Sequence, residues 1–357
     1  MVTAVHRFAS TCLTTGMKSF MWLSAWLALT VFAGCLHRTT VPSSNTVKRS
    51  QMLMGTLVFV TAVAKDVPTG QRAAEAALNE IRRLEELLST WIPTSELSRL
   101  NDAAGQRSVK ISVDTMQLLK RALEVARLTE GGFNIAVGPA VQAWNVTEQS
   151  SIPSEEQLRL LLPLLDLSAL QLDETAGAAY LTRAGMRVDV GGIGKGFAAD
   201  RAAEAMRGVG ATAGAVALSG DIKTFGRMPD GEAFLFGIQD PRKEQSLLAT
   251  IELQDEAIST AGDYERFFER DGVRYHHILD PATLQPARDC QSVTVIAKEG
   301  VMADGLDTGI FVMGPTRGME LVERLPDVEA VIVARDGSIL VSSGLKHRVR
   351  FTDSTNK

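Results

Sequence analysis

Val301 to Gly314 reads VMADGLDTGIFVMG and sets Asp304, Asp307 and Thr308 inside an otherwise apolar run of helical character. Carboxylates at i and i+3, with a hydroxyl at i+4, share one helix face within reach of one another. Burying paired acids among Val, Leu, Ile, Phe and Met is costly unless a cation or hydrogen-bond donors compensate. An all-oxygen set of this kind suits Mg²⁺ better than zinc. The same pattern also fits a helix whose polar face carries two solvated acids and a threonine.

Two other segments carry chemistry. Asp189 to Gly196, DVGGIGKG, lies between an expected strand and an expected helix. It is not a P-loop, because Asp189 stands at the first glycine position of G-x-x-x-x-G-K-[ST] and Gly196 at the final Ser/Thr; a dinucleotide G-x-G-x-x-G fits no better. Its glycines expose backbone groups beside the cationic Lys195 and a helix N-terminus, which together can hold a phosphate or simply turn a strand into a helix. Tyr275 to Pro281, YHHILDP, holds the only adjacent histidines. With five His in the chain, and His6 in an N-terminal segment read below as processed, a His-built zinc site is disfavoured. On a strand His276 and His277 point to opposite faces, so at most one of them faces a site.

The elements that must position these residues follow from hydrophobic period. Leu53–Val63 alternates and is β-branched, as in a strand. Gln71–Leu88 has Ala, Leu and Ile at helical spacing. A helix is expected over Val113–Thr129 behind an N-cap at Ser112, and another starts at Ser154, where Ser154 and Gln157 fit a capping box. From Ala178 on, short strands follow one another (AAYLTR, MRVDVGGI, AGAVALSG, AFLFGIQ, ATIELQ, VRYHHIL, SVTVIA), with helices near Gly196–Arg207 and Met302–Met313. This order predicts one α+β domain with largely antiparallel sheet.

The N-terminal segment reads differently. Phe20–Gly34 (FMWLSAWLALTVFAG) is apolar, follows Lys18 and ends at Cys35, which is the layout of a secretory signal. Ala33-Gly34-Cys35 resembles the lipobox of bacterial lipoproteins, with Phe32 where Leu is usual, so residues 1–35 are expected to be removed up to a lipidated Cys35. MKSFMWL from Met17 is by itself a normal signal start, making Met17 the expected initiator. As a transmembrane anchor the run of 15 residues is short of the roughly 20 required. Leu36–Ser50 reads as a polar tether and 51–354 as the globular body. Cys12 would be lost and Cys35 lipidated, leaving Cys290 as a packed residue with no disulfide partner. A net charge of -5 and a pI near 5.7 argue against a binder of nucleic-acid backbones.

Taken in order, MGT at Met54–Thr56, STWIPTSELSRLN at Ser89–Asn101, GGFNIAVGPAVQAW at Gly131–Trp144, DVGGIGKGFAAD at Asp189–Asp200, LSGDI at Leu218–Ile222, STAGDYERFFERDGVRYHHILDPATLQP at Ser259–Pro286 and ADGLDTGIFVMG at Ala303–Gly314 resemble the FAD:protein FMN transferases, the ApbE family. The resemblance implies a single T-fold-like α+β domain that uses Mg²⁺ to cleave the FAD pyrophosphate. FMN would pass to a threonine or serine hydroxyl of a target flavoprotein, with AMP released. The implied acceptors are subunits of the sodium-pumping NADH:quinone oxidoreductase or related membrane redox complexes. The implied location is the cell envelope, lipid-anchored and facing the periplasm, at the inner rather than the outer membrane.

Carried over residue by residue, the resemblance assigns Mg²⁺ to Asp304, Asp307, Thr308 and the backbone carbonyl of Gly192. FAD contacts fall to Met54, Trp91, Gly132, Phe133, Asn134, Asp189, Lys195 and the backbone at Ile278. Trp91 stands where the family usually has tyrosine and Asn134 where it has aspartate, while Ser219 and Ala261 replace a usual glycine and serine. Lys195 and the glycine backbone would stabilise phosphoryl oxygens. The acceptor proton would pass to His277, with Asp263 or Asp280 as the other acceptors for it. The same groups acting on water would make an FAD pyrophosphatase. Other readings are a non-catalytic FAD-storing lipoprotein and a lipoprotein of thiamine or iron–sulfur assembly.

Overall fold

The computed structural model describes residues 45–148 and 152–352. The apolar run Phe20–Gly34, Cys35 and the first part of the expected tether lie outside the described residues. Eight antiparallel strands form the main sheet: β1 (Thr46–Leu53), β2 (Thr56–Ala64), β6 (Ala211–Leu218), β7 (Asp221–Phe225), β10 (Ala257–Gly262), β13 (Cys290–Ala297), β14 (Val328–Ala334) and β15 (Ile339–Val341), in that spatial order. Three smaller sheets complete the described strands. They are β3 (Val109–Lys110), β4 (Leu170–Asp173) and β5 (Ala178–Leu181); β8 (Phe234–Gln239), β9 (Leu247–Leu253) and β16 (Arg350–Phe351); and the hairpin of β11 (Phe267–Arg270) and β12 (Val273–His276). The helices are α1 (Val67–Leu88), α2 (Glu96–Asp102), α3 (Val113–Leu128), α4 (Gly138–Trp144), α5 (Glu155–Leu161), α6 (Gly194–Gly208), α7 (Gly300–Met313) and α8 (Pro315–Val322).

The alternation along the central strands sorts the core into two layers. On β13, Val293 and Val295 pack with the helices, whereas Ile296 faces the β8–β9–β16 sheet; on β14, Ala330 and Ile332 face the helices and Val331 and Val333 the small sheet. All eight residues of β13 are buried, so its run CQSVTVIA lacks polar alternation. α1, α6 and α7 lie on the helical side. Apart from Asp304, Asp307 and Thr308, α7 is built of apolar and glycine residues, as suits a helix buried over most of its surface. Among the described residues no helix is long and apolar enough to cross a membrane.

Three local readings change. The strand expected over Leu53–Val63 is β2 from Thr56 on, while Leu53 ends β1 and pairs with Thr56 across the two-residue turn Met54–Gly55, where both φ angles are positive. That geometry matches the right-handed strand twist, and Gly55 supplies it without strain. Residues 46–50, read as tether, form β1 against β2. Met186–Ile193 forms no strand: the Asn101 side chain takes both backbone groups of Val188 (2.7 and 2.9 Å), Ile135 accepts from Asp189 N, and Gly191–Ile193 turns into α6. The helices stand close to expectation. α1 starts earlier, at the cap Asp66 with Pro68 in its first turn, and the capping box of Ser154 and Gln157 is formed.

Candidate active site

α7 carries Asp304 and Asp307 into the core, 3% and 2% exposed, against the helix-side surface of the main sheet. There Asp221 opens β7 just after the turn at Ser219 (φ +60°), and Ser259 lies on the neighbouring strand β10. Oxygen atoms of Asp221, Asp304 and Asp307 all lie within 4.8 Å of one another. Ser259 Oγ bridges Asp221 Oδ1 and Asp307 Oδ2, the latter at 2.6 Å. Its hydroxyl has one proton for two carboxylates, so one of these contacts is satisfied only when a carboxyl is protonated or a cation intervenes. Thr308 Oγ1 donates to Asp307 Oδ1 (3.1 Å), and Gly196 N donates to Asp304 Oδ2 (2.8 Å).

One cation faces these three acids. Lys195 is ion-paired with Asp221. Burial by itself would depress its ammonium, but Asp221, Asp304 and Asp307 outweigh that and hold it above its ordinary range. The acids shift the other way. Burial, then repulsion from Asp221, pushes Asp304 up to about 7; burial, then Asp304 and Asp221, pushes Asp307 well above the carboxylate range. An all-oxygen cluster whose charges are dearly held apart from water is one that a hard divalent cation relieves.

The backbone leaves room on the same side. A Cβ on Gly192 would stand 3.0 Å from Thr308 Oγ1 and 3.5 Å from the Phe133 ring, so the Gly192 backbone approaches the hydroxyl as only glycine can. Phe133 is buried and its N–H donates to Thr129 Oγ1. Gly132 is held as tightly, since a Cβ there would lie 2.8 Å from the Gly309 carbonyl oxygen on α7. Gly192, Phe133, Gly132, Asp304, Asp307, Thr308 and Lys195 are therefore brought together around the middle of α7. Lys195 also pairs with Asp221.

The other site residues are placed less uniformly. Asp189 accepts from Gly191 N (2.8 Å); burial raises its pKa, and the Arg266 cation opposes that. Asn134 is committed locally, capping Ala136 N with its oxygen and donating to Leu165 O. Ile278 spends its N–H on His276 Nδ1 (3.3 Å), and its carbonyl accepts from Ala287 N. Met54 lies in the hairpin turn with its N–H on Glu85 (2.7 Å), and Trp91 presents its indole to solvent, 80% exposed, between α1 and α2.

The two histidines separate cleanly, although β12 ends at His276. His276 is 2% exposed, and its ring meets Phe311 of α7 edge-on at 5.6 Å. Its Nδ1 accepts from Ile278 N, so Nε2 carries the proton and donates to Ala287 O (2.7 Å). His277 is half-buried with Nδ1 3.3 Å from Arg266 O, which fixes that nitrogen as the donor and leaves Nε2 with a lone pair. Burial, then the Arg266 cation, lowers its pKa to about 3, in place of the near-neutral value expected from an isolated imidazole. Asp263 is taken up by a two-point pair with Arg242 (2.7 Å each), and Asp280 by Ala282 N and Thr283. Cys290 is buried, its thiol pushed up to about 12, as suits a packed residue.

Sequence reading missed Asp221, Ser259 and Arg266 as site residues. Each sits in a segment that carried the resemblance, LSGDI or STAGDYER. An acid after a turn or a serine in a strand has no spacing signature of its own.

The model of the ApbE family matches residues 54–332. The FAD:protein FMN transferase of Treponema pallidum (strain Nichols) is 33% identical over 324 residues, covering 86% of this chain and 89% of that protein. Its counterpart from Vibrio cholerae is 32% identical, covering 85% and 90%. Among solved structures, the ApbE protein of Thermotoga maritima superposes with a TM-score of 0.79 at 31% identity (84% of this chain, 98% of that one). The flavin transferase ApbE of Vibrio cholerae gives 0.76 at 29% (85% and 99%). With the family model matched over most of the chain, relatives above 30% identity covered over most of their length and the fold shared, the chain belongs to the ApbE family.

Proposed function

We propose that this protein is an FAD:protein FMN transferase that moves FMN from FAD to a threonine or serine hydroxyl of an acceptor flavoprotein, releasing AMP, with Mg²⁺ held by Asp221, Asp304, Asp307, Thr308 and the Gly192 carbonyl. The observation that carries this reading is the buried acid triad, with Ser259 and one lysine as its neighbours and a glycine cradle beside Thr308. Bound there, Mg²⁺ would supply charge neutralisation at the pyrophosphate oxygens. Flavin binding alone requires no such triad.

The chain's own residues divide the remaining work. Lys195 pairs with Asp221, and Ser259 holds Asp221 and Asp307 together. Arg266 and the helix start at Gly194 place positive potential near the expected phosphates. His277 offers Nε2 to the acceptor hydroxyl, while its Nδ1–H on Arg266 O holds the tautomer that makes this possible. Met54 and the exposed indole of Trp91 frame the flavin or adenine ring. The acceptor is read as a subunit of the sodium-pumping NADH:quinone oxidoreductase or a related redox complex, met at the membrane through a lipid on Cys35.

The test incubates the purified protein with FAD, Mg²⁺ and a candidate acceptor subunit, following in-gel flavin fluorescence together with AMP. Stoichiometric labelling and AMP, both abolished by EDTA, support transfer. AMP without labelling of any acceptor identifies a pyrophosphatase instead.

A further inference from the structure

The N-terminus of α7, the helix that carries Asp304, Asp307 and Thr308, is capped from outside its own sequence. Glu299 occupies the cap position but makes no side-chain cap bond; its carboxylate pairs with Arg121. The open amides are taken by Asp200, on α6: Gly300 N donates to Oδ1 (2.7 Å) and Val301 N to Oδ2 (2.9 Å). The exchange is reciprocal, because Gly196 N in the first turn of α6 donates to Asp304 Oδ2 (2.8 Å) on α7. The helices touch backbone to backbone between these bonds. A Cβ on Gly300 would lie 2.6 Å from the Gly196 carbonyl oxygen, and one on Gly196 would collide with the Gly300 carbonyl and stand 2.7 Å from Asp304 Cβ.

We infer that Asp200 is a positioning residue for the metal centre, acting through α7 and touching neither metal nor substrate. Two carboxylates, each on the amides of the other helix, fix both the sliding and the rotation of α7 against α6. Asp304 and Asp307 reach Asp221 only in one such setting, since a rotation of one residue turns them through about 100°. A carboxylate at a helix N-terminus is favoured by the dipole as well as by its hydrogen bonds. Lys223, whose Nζ lies 3.9 Å from Asp200 Oδ1, adds a cationic neighbour. The signal was present in the sequence, as the last residue of DVGGIGKGFAAD, without anything to say what it held.

This inference rests on the metal reading above, and the experiment separates the two. Mn²⁺ binding to the full chain, without FAD, is followed by electron paramagnetic resonance for wild type, Asp304→Asn, Asp200→Ala, Asp200→Asn and Asp66→Ala. Asp66 caps α1 through Thr69 N and has no contact with α7, so it reports what losing an equivalent cap does by itself. Loss of an outer partner typically weakens metal affinity roughly 10–100-fold. That range is expected for Asp200→Ala, with a smaller loss for Asp200→Asn, which keeps one acceptor, and with none for Asp66→Ala at a comparable fall in melting temperature. Hydrogen exchange at Gly300 and Val301 should quicken in the Asp200 variants alone. Wild-type Mn²⁺ affinity in both Asp200 variants overturns the inference and leaves the metal site standing. No Mn²⁺ binding by wild type, or binding undiminished in Asp304→Asn, sinks the metal reading and the inference with it.

Discussion

Without metal, removing the charge of Asp304 should stabilise the protein, and more so as pH rises. In the folded chain Asp304 holds its proton up to about 7, where an unfolded aspartate loses it near 3.8. Between those values the folded state binds the extra proton, so stability falls as pH increases. At 1.36 kcal/mol per pH unit, the part of that interval above pH 5 amounts to about 3 kcal/mol. Set against the 5–15 kcal/mol of a typical domain, this is a large share. His276 and His277 work in the opposite sense: their pKa values are lowered, so they add stability as pH climbs towards 6.5. Comparison with Asp304→Asn cancels the histidines, which are the same in both proteins. The assay is urea unfolding in EDTA at pH 5 and pH 8, read by intrinsic fluorescence. Asp304→Asn should gain about 3 kcal/mol on wild type between the two pH values, and saturating Mg²⁺ at pH 8 should restore the wild type but not the variant. A stability gap that stays constant from pH 5 to pH 8, or a variant that responds to Mg²⁺ as wild type does, would refute the account of the cluster as a proton-for-metal exchanger.

Two other outcomes follow from the same geometry and one from the sequence around Cys35. Gly196→Ala should cost about 1–3 kcal/mol or more by overpacking the α6–α7 crossing, whereas Gly208→Ala, with nothing within 4 Å of the new methyl, should gain up to about 1 kcal/mol from helix propensity; equal effects in denaturant melts would remove the crossing from the argument. His277→Ala should slow single-turnover transfer by no more than roughly 10²-fold, since an imidazole lowered to about 3 is a weaker base than one tuned to neutral pH, with little change in FAD affinity, while His276→Ala, which empties a doubly hydrogen-bonded core site, should lose stability first; kcat/KM should show no His277 inflection between pH 5 and 9, because that imidazole is already neutral there. Mass spectrometry of the membrane-extracted protein should find a lipid-modified Cys35 at the N-terminus, and a mature chain retaining Phe20–Gly34 would restore a transmembrane anchor.

What could be read in the chain, and what could not, divides along the range of the interactions involved. Asp304, Asp307 and Thr308 were legible because one helix brings them together by period alone, and so were the caps at Ser112 and Ser154, which act over three residues. The largely antiparallel sheet followed from the succession of short strands with helices between groups. Met186–Ile193 looked like one more strand because alternation reports burial of one face, not the partner of the backbone; the partner is Asn101, 87 residues away in sequence. The Met54–Gly55 turn was hidden inside a β-branched run because a two-residue hairpin interrupts periodicity so little. Asp221 and Ser259 required the tertiary fold: they become site residues only when β7 and β10 lie side by side beneath α7. The same argument bears on Lys195. Its position before a helix suggested a phosphate ligand, and the sheet also sets Asp221 against it, 26 residues away in sequence. On the proposed reading, a divalent ion on the acid cluster, Arg266 and the backbone of the glycine loop would share the phosphate with a lysine already paired to a carboxylate.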